Sequence, residues 1–227
     1  MRICPLRPAD RERPLLLVVD GSYAIFRSFF AIRGMTGPEG NPTGAIYGLV
    51  RQMRQLLDAF APDYFAVAFD ENDADFRREI DPTYKANRGE TPPDLAEQWP
   101  IAREFLAEMG LCTIAHGRFE ADDLLATLAR EGYRRGMDVV VSSGDKDLGQ
   151  VVVDGTPSVV QHDPIKGLML DAAAIYQRWG VAPSQVPDVQ ALAGDSIDNV
   201  TGVPGIGIKT ATKLIAAAHE HDVRVVL

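Results

Sequence analysis

Cysteine is nearly missing from this chain of 227 residues, which has only Cys4 and Cys112. They lie far apart and in no metal-like or redox-like spacing. A disulfide scaffold and a zinc centre are therefore excluded. Cys112 follows Leu111 in a predicted strand and is expected in the core. Histidine is also scarce. His116, His162, His219 and His221 share no spacing and have no evident acid partner, so none is a candidate ligand. No run approaches the ~20 apolar residues needed to cross a bilayer. The first apolar stretch is preceded by Arg2, Arg7, Asp10, Arg11, Glu12 and Arg13, unlike a signal peptide, and the cytoplasm is the expected location. Ser22 and Ser142-Ser143 sit in no nucleophile elbow. Trp99 and Trp179 read as core or interface anchors. Positive charge is short as well: 23 Lys and Arg face 32 Asp and Glu, a net charge of -9. This excludes a basic coat around nucleic acid but leaves a local basic patch open.

What is present is ordinary globular composition, 46% apolar and 24% charged. The length suits one large domain or two small ones. The acid surplus has a pattern. Asp20, Asp70, Glu120, Asp122, Asp123, Asp145, Asp147, Asp195 and Asp198 recur in short motifs. Setting these nine aside leaves 23 acids against 23 bases, so a chain whose nine acids faced bound cations would otherwise be charge-balanced.

Residues 1–14 read as a loose leader. Leu15 to Val19 form an apolar run ending at Asp20-Gly21, the signature of a buried parallel strand closed by a turn. A helical pattern covers 43–60. A second strand, Tyr64 to Phe69, ends at Asp70. Helix is expected over 100–109, strand over 111–115, helix from Glu120 to Arg130, strand at 139–141 and a further short strand at 159–160. The alternation predicts an α/β fold, a mostly parallel central sheet with flanking helices over 15–170. Ligand crevices in such sheets lie beyond the carboxyl ends of the strands, where three of the acidic loops would meet. Two regions depart from the alternation. Residues 71–99 are a polar excursion with Arg77, Arg78, Lys85 and Arg88. Residues 171–227 read as a helical region carrying a glycine turn at 202–207.

Glu120 and Asp123 are three apart, on one helical face. Asp145 and Asp147 are two apart, on one side of an extended chain. Asp195 and Asp198 repeat the spacing of three. Like charges so placed repel unless compensated, and divalent cations are the simplest compensation. An all-carboxylate set without His or Cys suits Mg²⁺ or Mn²⁺. Two such ions suit phosphodiester hydrolysis, because the pair can clamp both the attacking and the leaving oxygen. The competing reading is a solvated acidic surface.

Lys85 and Arg88 are expected to share a helix face. A Lys there could hold the reacting phosphate, an Arg could clamp it, and Tyr84 could stack on a base. The competing reading is a polar surface excursion. Gly202, Gly205 and Gly207 allow close approach of backbone N–H groups to phosphate, and Lys209 and Lys213 follow on a helix. This predicts a hairpin between helices that grips duplex without reading sequence. The alternative is a plain helix–helix turn.

Together these segments resemble the 5′-nuclease family, which comprises the N-terminal 5′–3′ exonuclease domain of bacterial DNA polymerase I and its stand-alone and flap-endonuclease relatives. The matches are Val19-Asp20-Gly21 with Arg27, Phe69-Asp70, Phe76-Arg77, Tyr84 to Arg88, Glu120 to Asp123, Gly144 to Leu148, Gly194 to Asn199 and the turn at 202–211. The resemblance covers residues 15 to 218. It implies a PIN-like nuclease fold, a helical arch at about 71–99 over the active site, and a C-terminal helix–three-turn–helix DNA clamp. It also implies cleavage at 5′ ends, flaps or nicks of DNA. Asp20, Asp70, Glu120, Asp122 and Asp123 would serve a first metal ion, and Asp145, Asp147, Asp195 and Asp198 a second. Lys85 and Arg77 would touch the reacting phosphate, and the 202–207 turn would hold K⁺. A monomer at work in the bacterial cytosol, around the nucleoid, is expected.

Two features depart from the family pattern. Ile208 stands where Glu or Pro is usual. The chain also stops at Leu227, where the family continues for several tens of residues, and no polymerase domain follows. A short stand-alone nuclease is expected, or a truncated or catalytically weak DNA-binding relative. A small-substrate Mg²⁺ hydrolase would need neither the basic excursion nor the hairpin.

Overall fold

The computed structural model describes residues 11–71 and 76–220. A six-stranded sheet runs in the order β3-β2-β1-β4-β5-β6. The strands are β1 (Leu15–Asp20), β2 (Tyr64–Asp70), β3 (Cys112–His116), β4 (Asp138–Ser142), β5 (Val159–Asp163) and β6 (Leu168–Leu170). Five run parallel and β6 is antiparallel to β5. β1 lies between β2 and β4 and is buried throughout, as its unbroken apolar run requires.

Helices α1 (Gly21–Ala31), α2 (Gly44–Phe60) and α4 (Pro93–Glu108) cover one face. Their Ile25, Leu49, Met53, Leu95 and Leu106 pack against Leu17, Val19, Val67 and Phe69. On the other face α5 (Ala121–Arg134) sets Leu125 and Ala129 on Leu16, Val18 and Val141. A third cluster joins Val152 to α6 (Ala172–Trp179), α7 (Val186–Ala193) and α8 (Ile208–Glu220), through Ile175, Trp179, Val189, Ala211 and Ile215.

The structure departs from expectation at several points. The chain does not turn loosely after Asp20. It enters α1 at once, with Asp20 as the N-cap, and Gly21 is required because a Cβ there would lie 2.6–2.7 Å from the Phe69 ring and Val67. The helix expected over 100–109 begins at Pro93, inside the polar excursion. There Pro92 and Pro93 suit a helix start, and Leu95 and Gln98 anchor it to the core. Only a short helix, α3 (Phe76–Ile80), and a series of turns over 82–87 remain of the excursion. Lys85 and Arg88 therefore share no helix face, and Lys85 is left-handed at φ 55°. Cys112 is exposed and not in the core, because it opens the edge strand β3, whose first residue is exposed. Trp179 is buried, as expected of an anchor. Residues 1–10 of the expected leader, 72–75 of the excursion and 221–227 lie outside the described residues.

Candidate active site

The carboxyl ends of the parallel strands converge as the fold class requires. Asp20 closes β1, Asp70 closes β2, and the loop after β4 carries Asp145 and Asp147. Glu120, Asp122 and Asp123 stand at the start of α5, and Asp195 and Asp198 in the loop after α7. All nine predicted acids thus reach one edge of the sheet, and a cleft of about 280 Å³ opens between Tyr23, Arg88, Asp145, Asp147, Asp195 and Asp198. A larger cleft of about 490 Å³ runs along α4 and meets this edge only at Asp70.

The nine acids fall into two sets. Asp20, Asp70, Asp122 and Asp145 form a centre without an ion pair among the described residues; of their bonds there, Asp20 and Asp70 accept from neutral groups. Asp20 accepts from Tyr23 N and Ser143 Oγ, both at 2.8 Å, and Asp70 accepts from Ala121 N at 2.8 Å. Asp145 accepts from the N–H of Asp147 at 2.8 Å. Burial, together with the neighbouring charges of Asp70 and Asp145, pushes Asp20 up to about 7. Burial also raises Asp122, with Asp20, Asp145 and Asp70 adding to it, and raises Asp145.

The other five acids are each held by a cation. Arg77 clamps Asp123 with two bonds of 2.7 and 2.8 Å. Burial would raise Asp123, but this guanidinium outweighs it and lowers the carboxyl. Asp123 also accepts from Glu120 N at 3.1 Å, so the spacing of three seen in the sequence is a capping box for α5. Lys85 pairs with Glu120, Arg88 with Asp198 at 2.6 Å, and Lys146 with both Asp195 and Asp147. Asp145 and Asp147 do not share an extended segment, since a 3-10 turn begins at Asp147.

The turn at 83–88 is docked on the loop that carries Asp195 and Asp198. Lys85 N donates to Asp198 O at 2.9 Å, Asn87 Nδ2 to Ser196 O at 2.9 Å, and Asn199 Nδ2 to Thr83 O at 2.7 Å. Lys85 and Asn199 are both left-handed, at φ 55° and 57°. Tyr84 does not offer its ring for stacking. It is buried, and its hydroxyl donates toward Glu120 at 3.0 Å and lies 3.3 Å from Asp198.

Two supporting residues carry no motif. Gln161, buried on β5, donates through Nε2 to the carbonyls of Ser143 and Asp145, fixing the acidic loop. Arg178 lines the cleft from α6. Neither has a sequence signal, because each reaches the site from a strand or helix distant in the chain.

At the hairpin, Gly205 is left-handed at φ 80° and Gly202 packs directly on the backbone of Ala193 and Gly194. Gly207 borders open space. Lys209, Lys213 and Ile208 are exposed at the start of α8. The hairpin therefore presents its lysines away from the packed α7–α8 seam.

As they stand, no three of these donors converge to hold one ion among the described residues. The donor chemistry nonetheless fits a hard divalent cation. The set is all oxygen, and the central acids are pushed toward protonation by burial and mutual repulsion, which bound positive charge would relieve.

Fold and site define an α/β protein with an acidic crevice at the carboxyl edge of its sheet and a helical hairpin beside it. Residues 15–180 match the model of the 5′-3′ exonuclease, N-terminal resolvase-like domain, and 181–223 that of the 5′-3′ exonuclease, C-terminal SAM fold. The chain belongs to this 5′–3′ exonuclease family. It is 39% identical over 210 residues to DNA polymerase I of Mycobacterium bovis, covering 91% of this chain and 23% of the relative. It is 38% identical over 208 residues to the thermostable DNA polymerase I of Thermus thermophilus, covering 92% of this chain and 24% of the relative. The chain thus spans about a quarter of the length of these curated relatives. Among solved structures, the 5′-exonuclease of bacteriophage T5 with bound zinc superposes with a TM-score of 0.76 at 24% identity, covering 89% of this chain and 75% of that one. A T5 protein co-crystallised with metal ions gives 0.74 at 25% identity, covering 89% and 74%. The catalytic core of Rad2 with DNA gives 0.58 at 18% identity, covering 95% and 64%. No helix among the described residues is long and apolar enough to cross a membrane.

Proposed function

We propose that this chain is a divalent-metal-dependent 5′–3′ exonuclease and 5′-flap endonuclease that hydrolyses DNA phosphodiesters. The observation that carries the reading is the central quartet Asp20, Asp70, Asp122 and Asp145, which makes no ion pair among the described residues, Lys85 and Lys146 acting on Asp122 and Asp145 only through space. Stability alone would not favour such a quartet, and a cation-binding role accounts for it. Bound Mg²⁺, or Mn²⁺, supplies a water of lowered pKa and counter-charge for the attacking and leaving oxygens.

Asp20, Asp70, Glu120, Asp122 and Asp123 are proposed to serve a first ion, and Asp145, Asp147, Asp195 and Asp198 a second. Glu120 and Asp123 also orient Lys85 and Arg77, the two cations proposed to meet the reacting phosphate. Arg88, now on Asp198, would follow the substrate backbone. Tyr84 holds Glu120 and Asp198 together rather than binding a base. In this reading the fold is PIN-like over 15–170, the 71–99 excursion is the arch, and 171–227 is the duplex clamp of helix–three-turn–helix type. Gly202, Gly205 and Gly207 admit the phosphate backbone, Lys209 and Lys213 neutralise it, and K⁺ would sit on carbonyls of 202–207. The protein works as a monomer on DNA ends, flaps or nicks in the bacterial cytosol.

The test is a labelled 5′-flap duplex incubated with the protein in Mg²⁺, in Mn²⁺ and in EDTA, beside Asp145→Ala. Release of short 5′ products in either metal, abolished by EDTA and by the substitution, is expected. Binding without cleavage in all conditions would reject the enzyme and leave a DNA-binding protein.

A further inference from the structure

Lys146 has no role in the reading above, yet it lies at the middle of the second acidic group. Its ammonium bonds Asp195 and lies 3.1 Å from Asp147, joining the loop after β4 to the loop after α7. The same ammonium stands 5.6 Å from the centre of the Trp179 ring. Its side chain is three-quarters enclosed and that of Asp195 nearly nine-tenths, so this is a confined pair rather than a surface one.

Resting on the nuclease reading, we infer that Lys146 is the resident cation of Asp147 and Asp195 in the second acidic group, and that a second divalent ion binds there only by exchanging with it. The two ion positions then differ. In the first group Asp20, Asp70 and Asp122 carry no ion pair among the described residues and Glu120 and Asp123 are held by Lys85 and Arg77, whereas in the second Asp147 and Asp195 share the single ammonium of Lys146 and must first give it up. The ion must replace the attraction of Lys146 for Asp195 and Asp147, which at an effective dielectric constant of about 20 is large enough to depress second-ion affinity by at least about tenfold. Lys146 is a positioning residue: it holds Asp195 and Asp147 together while the ion is away and leaves them when it arrives.

Trp179 supplies the readout. The chain has only two tryptophans, so Trp99→Phe leaves Trp179 as the sole one. The experiment follows Mg²⁺ binding without DNA, by calorimetry and by Trp179 emission, in Trp99→Phe alone and with Lys146→Met or Lys146→Arg. Circular dichroism melting checks that each variant is folded. A tight first step that leaves emission unchanged and a weaker second step that changes it are expected. Lys146→Met should tighten the second step about tenfold or more, abolish the emission change and leave the first step within about twofold. Lys146→Arg should keep the second step weak. A second step weakened or unmoved by Lys146→Met, or an emission change that follows the first step, overturns the inference. Absence of any Mg²⁺ heat in all three proteins would instead overturn the metal-nuclease reading on which it rests.

Discussion

Asp20→Asn tests the electrostatics of the crevice without chemistry. Asp20 is buried, and its carboxyl is lifted from 3.8 to about 7, first by burial and then by Asp70 and Asp145. A raised carboxyl binds a proton in the folded state that the unfolded chain has already released. Its stabilising contribution is therefore complete below pH 3.8 and is lost as pH rises through about 7. A shift of about three units corresponds to about 4 kcal/mol at 1.36 kcal/mol per unit. Asn carries no charge and remains a good N-cap for the Tyr23 amide, and the Ser143 hydroxyl can rotate to accept from it. In EDTA, Asp20→Asn should thus be more stable than wild type by about 2–4 kcal/mol at pH 8, a rise of roughly 5–15 °C in Tm. The advantage should shrink to within about 1 kcal/mol near pH 4.5. His162, whose buried ring is shifted down, makes stability rise with pH toward 6.5, but it is common to both proteins and cancels in the difference. The assay is thermal unfolding by circular dichroism from pH 4.5 to 8.5. Added Mg²⁺ should raise the wild-type Tm at pH 8 and raise that of Asp20→Asn much less. A Tm difference that is constant with pH, or a variant less stable than wild type at pH 8, would refute the account of a buried charge strained by its neighbours.

Other consequences can be checked separately. Lys85→Ala should lower single-turnover cleavage of a flap duplex by at least about 100-fold with little change in affinity, since its charge would act where negative charge is redistributed. Lys209→Ala should instead weaken all duplexes alike and reduce the slope of log affinity against log salt by ~0.9, measured by titration at several salt concentrations. Gln161→Met removes the bonds that hold the Ser143 and Asp145 carbonyls. It should cost about 2 kcal/mol in a denaturant melt and weaken Mg²⁺ binding in calorimetry. Gly202→Ala would drive a methyl into the Ala193–Gly194 backbone, so hydrogen exchange should speed across 202–218 while β1 and β4 stay protected.

The sequence carried the sheet well because its signals are local. A short continuous apolar run such as Leu15–Val19, closed by Asp20-Gly21, reads as a buried strand, and an acid at its end marks the crevice edge. α1 was not legible: Tyr23, Phe26, Phe29 and Phe30 are poor helix formers, and its strongest helix signal, Asp20, reads equally as a strand end. β6 is three residues long, below the reach of any periodicity. All nine acids could be found by motif, but their division into a centre without ion pairs among the described residues and a paired rim could not. That division depends on contacts such as Lys85 with Glu120, Arg88 with Asp198 and Lys146 with Asp195, which span 35, 110 and 49 positions. Spacing rules describe neighbours on one element, and these pairs are made by tertiary packing. For the same reason Glu120 and Asp123 looked like a metal pair when part of their geometry is the capping of α5.

The docking of the 83–88 turn on the 195–199 loop also bears on how the site is assembled in time. The bond from Asn199 to Thr83 closes a stretch of 116 positions, and that from Arg88 to Asp198 one of 110. Closing loops of this length is slow compared with forming helices or the β1–β2 pair, and synthesis delivers the later partner last. A nascent chain that has folded its first five strands already holds the central quartet, with Gln161 of β5 fixing the loop of Asp145, but it lacks Asp195, Asp198 and the support for its basic turn. The acidic crevice is therefore complete only when almost the whole described chain has been made, and until then the parts of the site remain separate.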